Sequence, residues 1–565
     1  MTEKFNLVTE PWIKVLNQQG ELKTISLQTL FQEAQNYQRL AGEMQAQDLA
    51  ILRFLLAIVT TVYSRFDSND EPYEWLELGQ KMLVKNVDTE DFDSEDKYDD
   101  MLASWHDIYD SGKFSAAIDN YLKVNMDKFD FLGDEPFYQV NRKIYDSQVA
   151  TNKKVDLKKQ KGTVSVKQIN RTISESNNSP DIFSPKSEAL KNKLQLDQLV
   201  RWIIAYQSFT GVTDKTKVVS DEKFSVSPGW LYSLNPVYAE GKNLFETLML
   251  NYRIDGNEDS EYKIQKPFWE FENINQYIDF LKGTVNVPTL SISTLYTLWS
   301  RMLHIEWINY DPIIFSAGLP KLDNTQAFNE PMTTWHKDKK TSERYPEVVR
   351  LSNLSKAMWR NFGQYISTTD KSDDEPGIIN WFKKISDHKF LPADTSLVLK
   401  TTNLVSDGNA TSQSPVAESV DSFKIRANVL FDKKGALYWP KNIESMIDIT
   451  QIIGKDFWIL ANNLAKLRGL DGSSEFANRL TDVFYESLNA PFLSWLSNLR
   501  VDDSRNKKKK LWKKTLQQIA FAQGEQILHR AAPRDIIGIT NDDKVENIFI
   551  IFNRYKINVS RHINL

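Results

Sequence analysis

The pattern of apolar and polar positions predicts a mixed first part of the chain. Near the N-terminus, two short strand-like runs flank a turn at Gln18–Gly20, and Ser26 then has the position of a helix N-cap. Residues 45–65 are strongly apolar and predict a helix of the core. Helical runs alternate with strand-like and irregular stretches between residues 196 and 400. This alternation predicts an α+β fold.

The C-terminal part has a different pattern. From about residue 441, four successive runs carry apolar residues at spacings of three and four, which is typical of a helical bundle. The length of 565 residues also exceeds the roughly 250–300 at which a single core stops growing. We therefore predict a large mixed domain over 1–435, followed by a helical domain over 436–565.

Residues 141–195 differ in composition from both of their neighbours. They are rich in Lys, Ser, Asn and Pro, which predicts a long exposed loop. Two interpretations stay open at this point. The segment is either a plain mobile loop, or a loop that becomes ordered on binding, with Phe183 stacking on a base while nearby lysines contact phosphates.

Composition limits the class of protein. The hydrophobic fraction of 41% and aromatic fraction of 12% are enough for substantial cores. A formal net charge of -5 does not in itself predict a nucleic-acid-binding protein, although a local basic surface is compatible with it. The chain has no cysteine, which excludes disulfides and thiolate zinc sites and suits a reducing compartment. With no secretory pattern at the N-terminus, we expect a cytoplasmic protein without membrane association.

One basic cluster stands out, RNKKKKLWKK at 505–514, in which seven of ten residues are Lys or Arg. It is either the solvated face of a helix or a surface that contacts phosphates. Lysines near a helix N-terminus are opposed by the helix dipole, so helix stability does not explain them. We predict non-specific phosphate contacts from Lys507, Lys508, Lys509, Lys510, Lys513 and Lys514. The buried side of the helix is predicted to hold Leu511, Trp512, Leu516, Ile519 and Ala520.

The sequence carries no recognisable catalytic motif. It lacks a phosphate-binding P-loop, a dinucleotide-binding glycine turn and a hydrolase nucleophile elbow. His106–Asp107 and the acidic stretch 87–100 leave one alternative, a metal-dependent phosphohydrolase or nuclease, but further ligands with recognisable spacing are missing. We expect a protein that is not an enzyme and that needs no metal or cofactor.

Four stretches, in this order, resemble one known family. They are FNLVTEPWIKVL (5–16), QDLAILRFLLAIV (47–59), FLGDEPFYQV (131–140) and GKNLFETLMLNY (241–252). The chain is similar in them to the CasA-type large subunit of the type I-E CRISPR Cascade complex. Any one of these motifs is weak, but together they are specific.

The resemblance implies a mixed N-terminal domain followed by a C-terminal four-helix bundle. It also implies a non-catalytic subunit that recognises the protospacer-adjacent motif of double-stranded target DNA, initiates duplex opening and R-loop formation, and helps to recruit a helicase–nuclease. The expected partners are the other Cascade subunits, the 5′ handle of the guide RNA, and the target DNA. A purely structural scaffold subunit is the remaining alternative.

The resemblance also assigns candidate residues. The loop FSAGLPKLDN (315–324) fits the family's Gly-x-x-Lys pattern, with Gly318 shaping the loop and Lys321 entering the minor groove beside the motif. The family's glycine-rich loop is represented only by Gly211 in TGVTDKTKVVSDEKF, which is a departure from the pattern. The strand-separating wedge is expected in LVSDGNATSQSP (404–415), from Asn409 or Gln413. Phe183 is expected to contact the RNA handle or a neighbouring subunit.

Overall fold

The structure of the chain is a computed structural model. It describes residues 4–159, 161–170, 190, 192–212, 216–220, 223–256, 259–282, 290–308, 310–351, 354, 356–366, 374–392, 394–406, 415–433, 438–541 and 544–564.

Helices and small sheets alternate through the first two thirds of the described chain, and helices dominate the rest. The α-helices are α1 Leu27–Glu33, α2 Gln45–Tyr63, α3 Ser94–Ser111, α4 Ala116–Val124, α5 Arg142–Gln148, α6 Val166–Ile169, α7 Leu196–Phe209, α8 Leu244–Asn251, α9 Ile274–Leu281, α10 Ile292–Tyr296, α11 Phe362–Tyr365, α12 Gly377–Asp387, α13 Ala427–Leu430, α14 Trp439–Leu467, α15 Ser473–Ser497, α16 Arg505–His529, α17 Pro533–Ile537 and α18 Ile548–Ile563. The strands are β1 Ile13–Asn17, β2 Leu22–Ile25, β3 Tyr37–Leu40, β4 Leu76–Leu78, β5 Val84–Val87, β6 Val237–Glu240, β7 Arg301–Ile308, β8 Asp311–Gly318, β9 Trp335–Lys337, β10 Arg344–Pro346, β11 Ser396–Ser406, β12 Pro415–Arg426, β13 Ile539–Asn541 and β14 Lys544–Glu546. The α+β fold class is confirmed.

The sheets of the described chain are small and mostly antiparallel pairs. Two have three strands, in the orders β2-β1-β3 and β12-β11-β6. The others are the pairs β4-β5, β7-β8, β9-β10 and β13-β14. The predicted opening is confirmed, because β1 and β2 form the expected hairpin and the Ser26 side chain caps α1 by accepting from the Thr29 N–H.

Helix α2 is the centre of the first core. It is long and apolar enough to cross a membrane, yet its whole apolar window is buried inside the protein, so it serves as the predicted core helix. Arg53 stands in the middle of this helix, 1% exposed. Its guanidinium forms an ion pair with the buried carboxylate of Glu330 and donates to the Leu295 carbonyl at 3.1 Å. A charge is tolerated here because it is paired and hydrogen-bonded.

The prediction of an exposed loop over 141–195 is wrong for its first part. Residues 141–170 contain α5 and α6, and the side chain of Tyr145 is fully buried. A Cβ at Gly162 would lie 2.0 Å from the Ile314 carbonyl oxygen, so only glycine allows this segment to approach β8 so closely. The polar composition hid an apolar subset that packs against the sheet.

The chain divides into two compact units. The first comprises Met1–Ser352, Asp373–Trp381 and Lys400–Val420, and the second Asn353–Ser372, Phe382–Leu399 and Asp421–Leu565. This division differs from the predicted boundary at 435/436, because earlier segments also belong to the second unit. The reason is aromatic packing within that unit: the rings of Trp359 and Phe492 stack with centroids 4.1 Å apart, and the Trp359 indole N–H donates to Asn489.

The second unit contains the predicted bundle, built by α14, α15, α16 and α18. Phe457 on α14 stacks on Phe484 on α15, with ring centroids 4.7 Å apart. The Tyr555 hydroxyl on α18 donates to the Ala520 carbonyl on α16 at 2.9 Å. These contacts close the four helices around one core, as the spacing of apolar residues predicted.

Asp48, in the first turn of α2, gives a pH-dependent prediction for the first unit. Burial raises the pKa of its carboxyl to about 7, although the Gly42 N–H donates to it at 2.8 Å. Because an unfolded aspartate titrates near ~3.9, the folded state binds this proton more tightly, and its contribution to stability is lost as pH rises from about 4 to about 7. We expect Asp48→Asn to weaken the pH dependence of the urea midpoint across this window. An unchanged profile would contradict this expectation.

Candidate nucleic-acid interface

The loop that carries Lys321 begins at the end of the β7–β8 hairpin. The antiparallel register pairs Gly318 with Arg301 at this end of the hairpin. Gly318 is buried, and a Cβ at this position would lie 2.6 Å from a Val226 methyl group. Gly318 therefore permits close packing of the segment around Val226 and fixes where the loop leaves the sheet.

Backbone hydrogen bonds then hold the loop so that Lys321 is exposed. The Lys321 N–H donates to the Ser225 carbonyl at 2.8 Å, and the Ser227 N–H donates to the Leu319 carbonyl at 2.8 Å. Leu319 is fully buried, whereas Lys321 extends into solvent. A cationic side chain on a fixed backbone is suited to insertion into a groove of a nucleic acid, because the protein loses little backbone entropy when the side chain binds there.

Lys321 is part of a cationic groove of about 770 Å³, which we call the Lys321 groove. It is lined by the cations Lys223, Lys282, Lys321 and Arg344, and by Phe224 among other residues. Two carboxylates, Asp323 and Glu343, also line it. Among the described lining residues, four positive groups face two carboxylates beside an aromatic ring, and the Arg344 Nε atom also lies 3.8 Å from a carboxylate oxygen of Asp374. Positive groups beside an aromatic ring suit a phosphate backbone with an accessible base.

The carboxylate nearest to Lys321 in the chain stays ionised. The Thr325 hydroxyl donates to Asp323 at 2.6 Å and the Thr325 N–H at 2.8 Å, and these bonds lower the pKa of the Asp323 carboxyl. Asp323 is also close enough to Lys321 for the two charges to attract each other. This carboxylate lowers the positive potential at Lys321. A bound phosphate backbone is therefore attracted mainly by the other cations of the groove.

Gly211 lies near the same end of the hairpin but does not present open backbone. It is buried, and its carbonyl accepts from the guanidinium of Arg301 at 2.6 Å. Arg301 also donates to the Ser227 carbonyl at 2.6 Å. The structure therefore brings Gly211, Gly318 and Lys321 together, with both glycines buried, and the predicted part of the two glycines in DNA binding stays a prediction. Both support the loop, and only Lys321 is exposed.

Sequence reasoning missed the other cations of this region. Lys217 is exposed beside Phe224, with its ammonium 5.4 Å from the ring centroid, and Lys223 lines the Lys321 groove. The signal is the lysine content of TGVTDKTKVVSDEKF (210–224), a segment that has only one glycine. No local pattern indicated Lys282 or Arg344.

Three predicted site residues lie outside the described residues. They are Phe183, for the RNA handle, and Asn409 and Gln413, for the wedge. Their roles remain predictions.

The basic cluster forms the first turns of α16, as predicted, with Ser504 as its N-cap. Lys507, Lys510 and Lys514 are exposed. Lys508 differs, since its ammonium lies 3.1 Å from the Asp503 carboxylate and is less available to a phosphate. Burial, with a smaller contribution from Lys509, lowers the pKa of Lys513.

Two predicted core positions of this helix differ in the structure, since Ile519 is only half-buried and Leu511 is exposed. Leu511 is 55% exposed, whereas Trp512 beside it is 1% exposed. The Trp512 indole N–H donates to the Thr450 hydroxyl at 3.0 Å, which fixes the buried face of α16. That face continues through Leu516 and Ala520, and this rotation leaves Leu511 among the lysines.

The alternative metal site gains no further ligand from the structure. His106 lies on α3 with its Nε2 atom 3.9 Å from a carboxylate oxygen of Asp110, and Asp107 accepts from the Ser68 hydroxyl. No group of three or more His, Asp or Glu side chains that could hold a metal lies among the residues described above.

Comparisons with known proteins identify the family. The model of the family described as CRISPR-associated protein Cse1 matches residues 6–523. The chain therefore belongs to the Cse1 family, the CasA-type large subunits of type I-E Cascade, and the resemblance found in its motifs is confirmed. No curated protein sequence matches the chain.

Solved structures share the fold at low identity. Thermobifida fusca Cse1 is 19% identical with a TM-score of 0.74, covering 99% of this chain and 98% of that one. Cse1 from Acidimicrobium ferrooxidans is 18% identical with a TM-score of 0.69, covering 100% and 99%. A chain of a CRISPR RNA-guided surveillance complex is 12% identical with a TM-score of 0.60, covering 98% and 99%.

Proposed function

We propose that this protein is the subunit of a cytoplasmic RNA-guided surveillance complex that recognises a short motif in duplex DNA. It associates with the guide RNA and the other subunits, starts strand separation beside the motif, and helps to recruit a helicase–nuclease. The similarity to a chain of a surveillance complex supports the association. The observation that carries the DNA-binding part is the exposed Lys321 in a groove lined by further cations.

The chemistry of the groove fits two kinds of contact, one with base edges and the other with phosphates. The minor groove of DNA offers acceptors and a negative potential, and one extended ammonium can use both. The surrounding cations contact phosphates without reading sequence. Specificity for the target lies in the guide RNA, so the protein needs to read only a few base pairs.

Replacing Lys321 tests the proposal. In the assembled complex, Lys321→Ala is expected to weaken binding of motif-bearing duplex by about 5- to 150-fold, the range that corresponds to removing one base interaction of about 1–3 kcal/mol. Assembly with the guide RNA should be unchanged. Lys23→Ala, at an exposed lysine on β2, is the matched control and should bind normally. Equal losses on motif-bearing and motif-free DNA would contradict the proposal.

The lysines of α16 are proposed to add affinity without specificity. Charge reversal at Lys507, Lys510 and Lys514 should weaken binding to all motif variants by the same factor. It should also reduce the slope of log K against log salt by about 0.9 for each phosphate that the variant no longer neutralises. Gel shifts at several salt concentrations measure both effects. A weakening confined to particular motifs would exclude a non-specific role for these lysines.

We also propose that the subunit has no catalytic activity of its own. The described surroundings of His106 and Asp107 provide no third metal ligand. Incubation of the isolated chain with DNA and Mn²⁺ should leave the DNA intact. Cleavage that disappears in His106→Ala would overturn this part of the proposal.

A further inference from the structure

A second cavity, of about 320 Å³, opens beside the Lys321 groove. Lys321, Leu322, Asn324 and Tyr345 line both spaces. The second cavity is different in character, because Lys321 is the only Lys or Arg among the described residues that line it. A single cation at the boundary between a groove for phosphates and a more apolar cavity can hold the phosphate of a group that enters the cavity.

The walls of this cavity are rich in aromatic rings. Trp230, Tyr232, Trp299 and Tyr345 contribute to them, together with aliphatic side chains such as Leu234 and Val348. Flat aromatic surfaces stack on the faces of nucleobases irrespective of sequence. A lining of this kind is suited to a planar ring system and not to a flexible aliphatic ligand.

The hydrogen-bonding groups of three of these rings are either partnered within the protein or buried. The Trp230 indole N–H donates to the Thr333 hydroxyl, and the Tyr345 hydroxyl donates to Glu343. The Trp299 side chain is 7% exposed, and its indole N–H has no acceptor among the described residues. A buried donor without a partner costs about 1–3 kcal/mol. The Trp299 N–H is itself out of reach of solvent, so Trp299 contributes the surface of its ring to the cavity and no hydrogen bond.

The inner wall is rigid. Gln207 lines the cavity and is 1% exposed. Its amide nitrogen donates to the Arg301 carbonyl at 2.8 Å, and its amide oxygen accepts the N–H groups of Ser300 and Arg301 at 3.0 Å. The cavity is therefore bounded by fixed backbone at this point, and the shape seen in the free protein can receive a ring without rearrangement.

We propose that this cavity holds one nucleotide unstacked from the bound DNA. The base stacks on the aromatic walls, and the attached phosphate lies against Lys321. The inference rests on the proposed function, since it needs DNA at the Lys321 groove. A free mononucleotide has the same chemistry, a base that carries a phosphate, and the experiment separates the two sources.

Photocrosslinking in the assembled complex tests the inference. A series of motif-bearing duplexes carries a single 5-iodouracil at successive positions in and beside the motif, and irradiation couples this base to aromatic side chains in contact with it. Peptide mass spectrometry then locates the coupled residues. We expect coupling to Trp230, Trp299 or Tyr345 at one or two adjacent positions of the duplex, and at no other position.

Two pairs of variants sharpen the test. Tyr345→Ala should lower the yield of coupling to the tryptophans by about fivefold or more, as expected when a base loses one stacking aromatic, whereas Tyr345→Phe keeps the ring and should keep the yield. Trp299→Phe keeps an aromatic ring but removes part of this wall of the cavity, so coupling to Trp230 should fall. Trp307→Phe is the matched control on β7 and should behave as the unmodified protein.

The outcomes separate this inference from the proposed function. Lys321-dependent binding of motif DNA without coupling to any cavity residue would overturn the inference and leave the proposed function intact. If the assembled complex showed no Lys321-dependent binding of motif DNA, both the inference and the proposed function would be overturned. Coupling by free 5-iodouridine monophosphate at the same residues, but not by the duplex, would overturn the assignment to DNA.

Discussion

Replacing Arg53 with methionine is expected to lower the free energy of unfolding of the first unit by about 3–5 kcal/mol, because it leaves the carboxylate of Glu330 buried without its cation. Glu330 is 1% exposed, and its remaining bonds come from the Thr333 hydroxyl and the Met332 N–H. The guanidinium also lies 4.6 Å from the centre of the Tyr296 ring. Urea denaturation followed by tryptophan fluorescence measures the loss.

Two comparisons make this result specific to the buried pair. Lys123→Ala removes the partner of Asp119 in a pair whose lysine side chain is 53% exposed, and should cost about 0–1 kcal/mol. Adding Glu330→Gln to Arg53→Met removes the unpaired charge and should recover part of the lost stability. A small effect of Arg53→Met alone would contradict the argument that Arg53 compensates the buried charge of Glu330. Because Glu330 follows the Lys321 loop in the chain, the pair also ties that region to α2.

The second large effect is expected in the bundle. Trp512→Ala should lower the free energy of unfolding of the second unit by about 3–5 kcal/mol, since it deletes one of the largest fully buried side chains. The ring packs edge-on against Phe492, with centroids 5.0 Å apart, and its N–H donates to Thr450. The same denaturation experiment measures this loss.

Neighbouring substitutions serve as controls for Trp512. Trp512→Phe keeps an aromatic side chain and loses the hydrogen bond and part of the volume, so it should destabilise less than alanine. Leu511→Ala changes the adjacent residue, which is 55% exposed, and should stay within about 0.5 kcal/mol of the unmodified protein. If Leu511→Ala cost as much as Trp512→Ala, the orientation of α16 described above would be wrong.

Those parts of the fold that depend on local periodicity were predictable from the sequence. The apolar spacing in α2 and in the bundle helices identified them, and Ser26 was recognisable as a cap because N-capping depends on one residue and its near neighbours. The failure at Leu511 has a local cause. In LWKK two adjacent apolar residues both fit a helix face of ordinary width, and only the tertiary partner Thr450 decides that Trp512 points inward.

The predicted loop over 141–195 failed for a different reason. Its composition was polar on average, but burial depends on individual positions, and Tyr145 and Val164 pack inside the first unit. The close approach of Gly162 to β8 involves residues that are far apart in the chain. No window of sequence contains such a contact.

The candidate site shows the same limit. Lys321 was assigned through a family motif, whereas the groove around it is assembled from Lys223, Lys282 and Arg344, which are separated by dozens of residues. The family resemblance placed Gly211 and Gly318 in the site and predicted that Gly318 shapes the loop. Burial beside Arg301 and Val226 makes them supports of the loop.

The most direct test is a binding assay on the assembled complex, with and without this subunit, over a library of duplexes randomised at the motif. Motif recognition through the Lys321 groove predicts that the subunit raises affinity for a limited set of motifs, and that this selective gain is lost in Lys321→Ala. A subunit that joins the complex but leaves the affinity for every motif unchanged would contradict it, and would assign the chain a purely structural role.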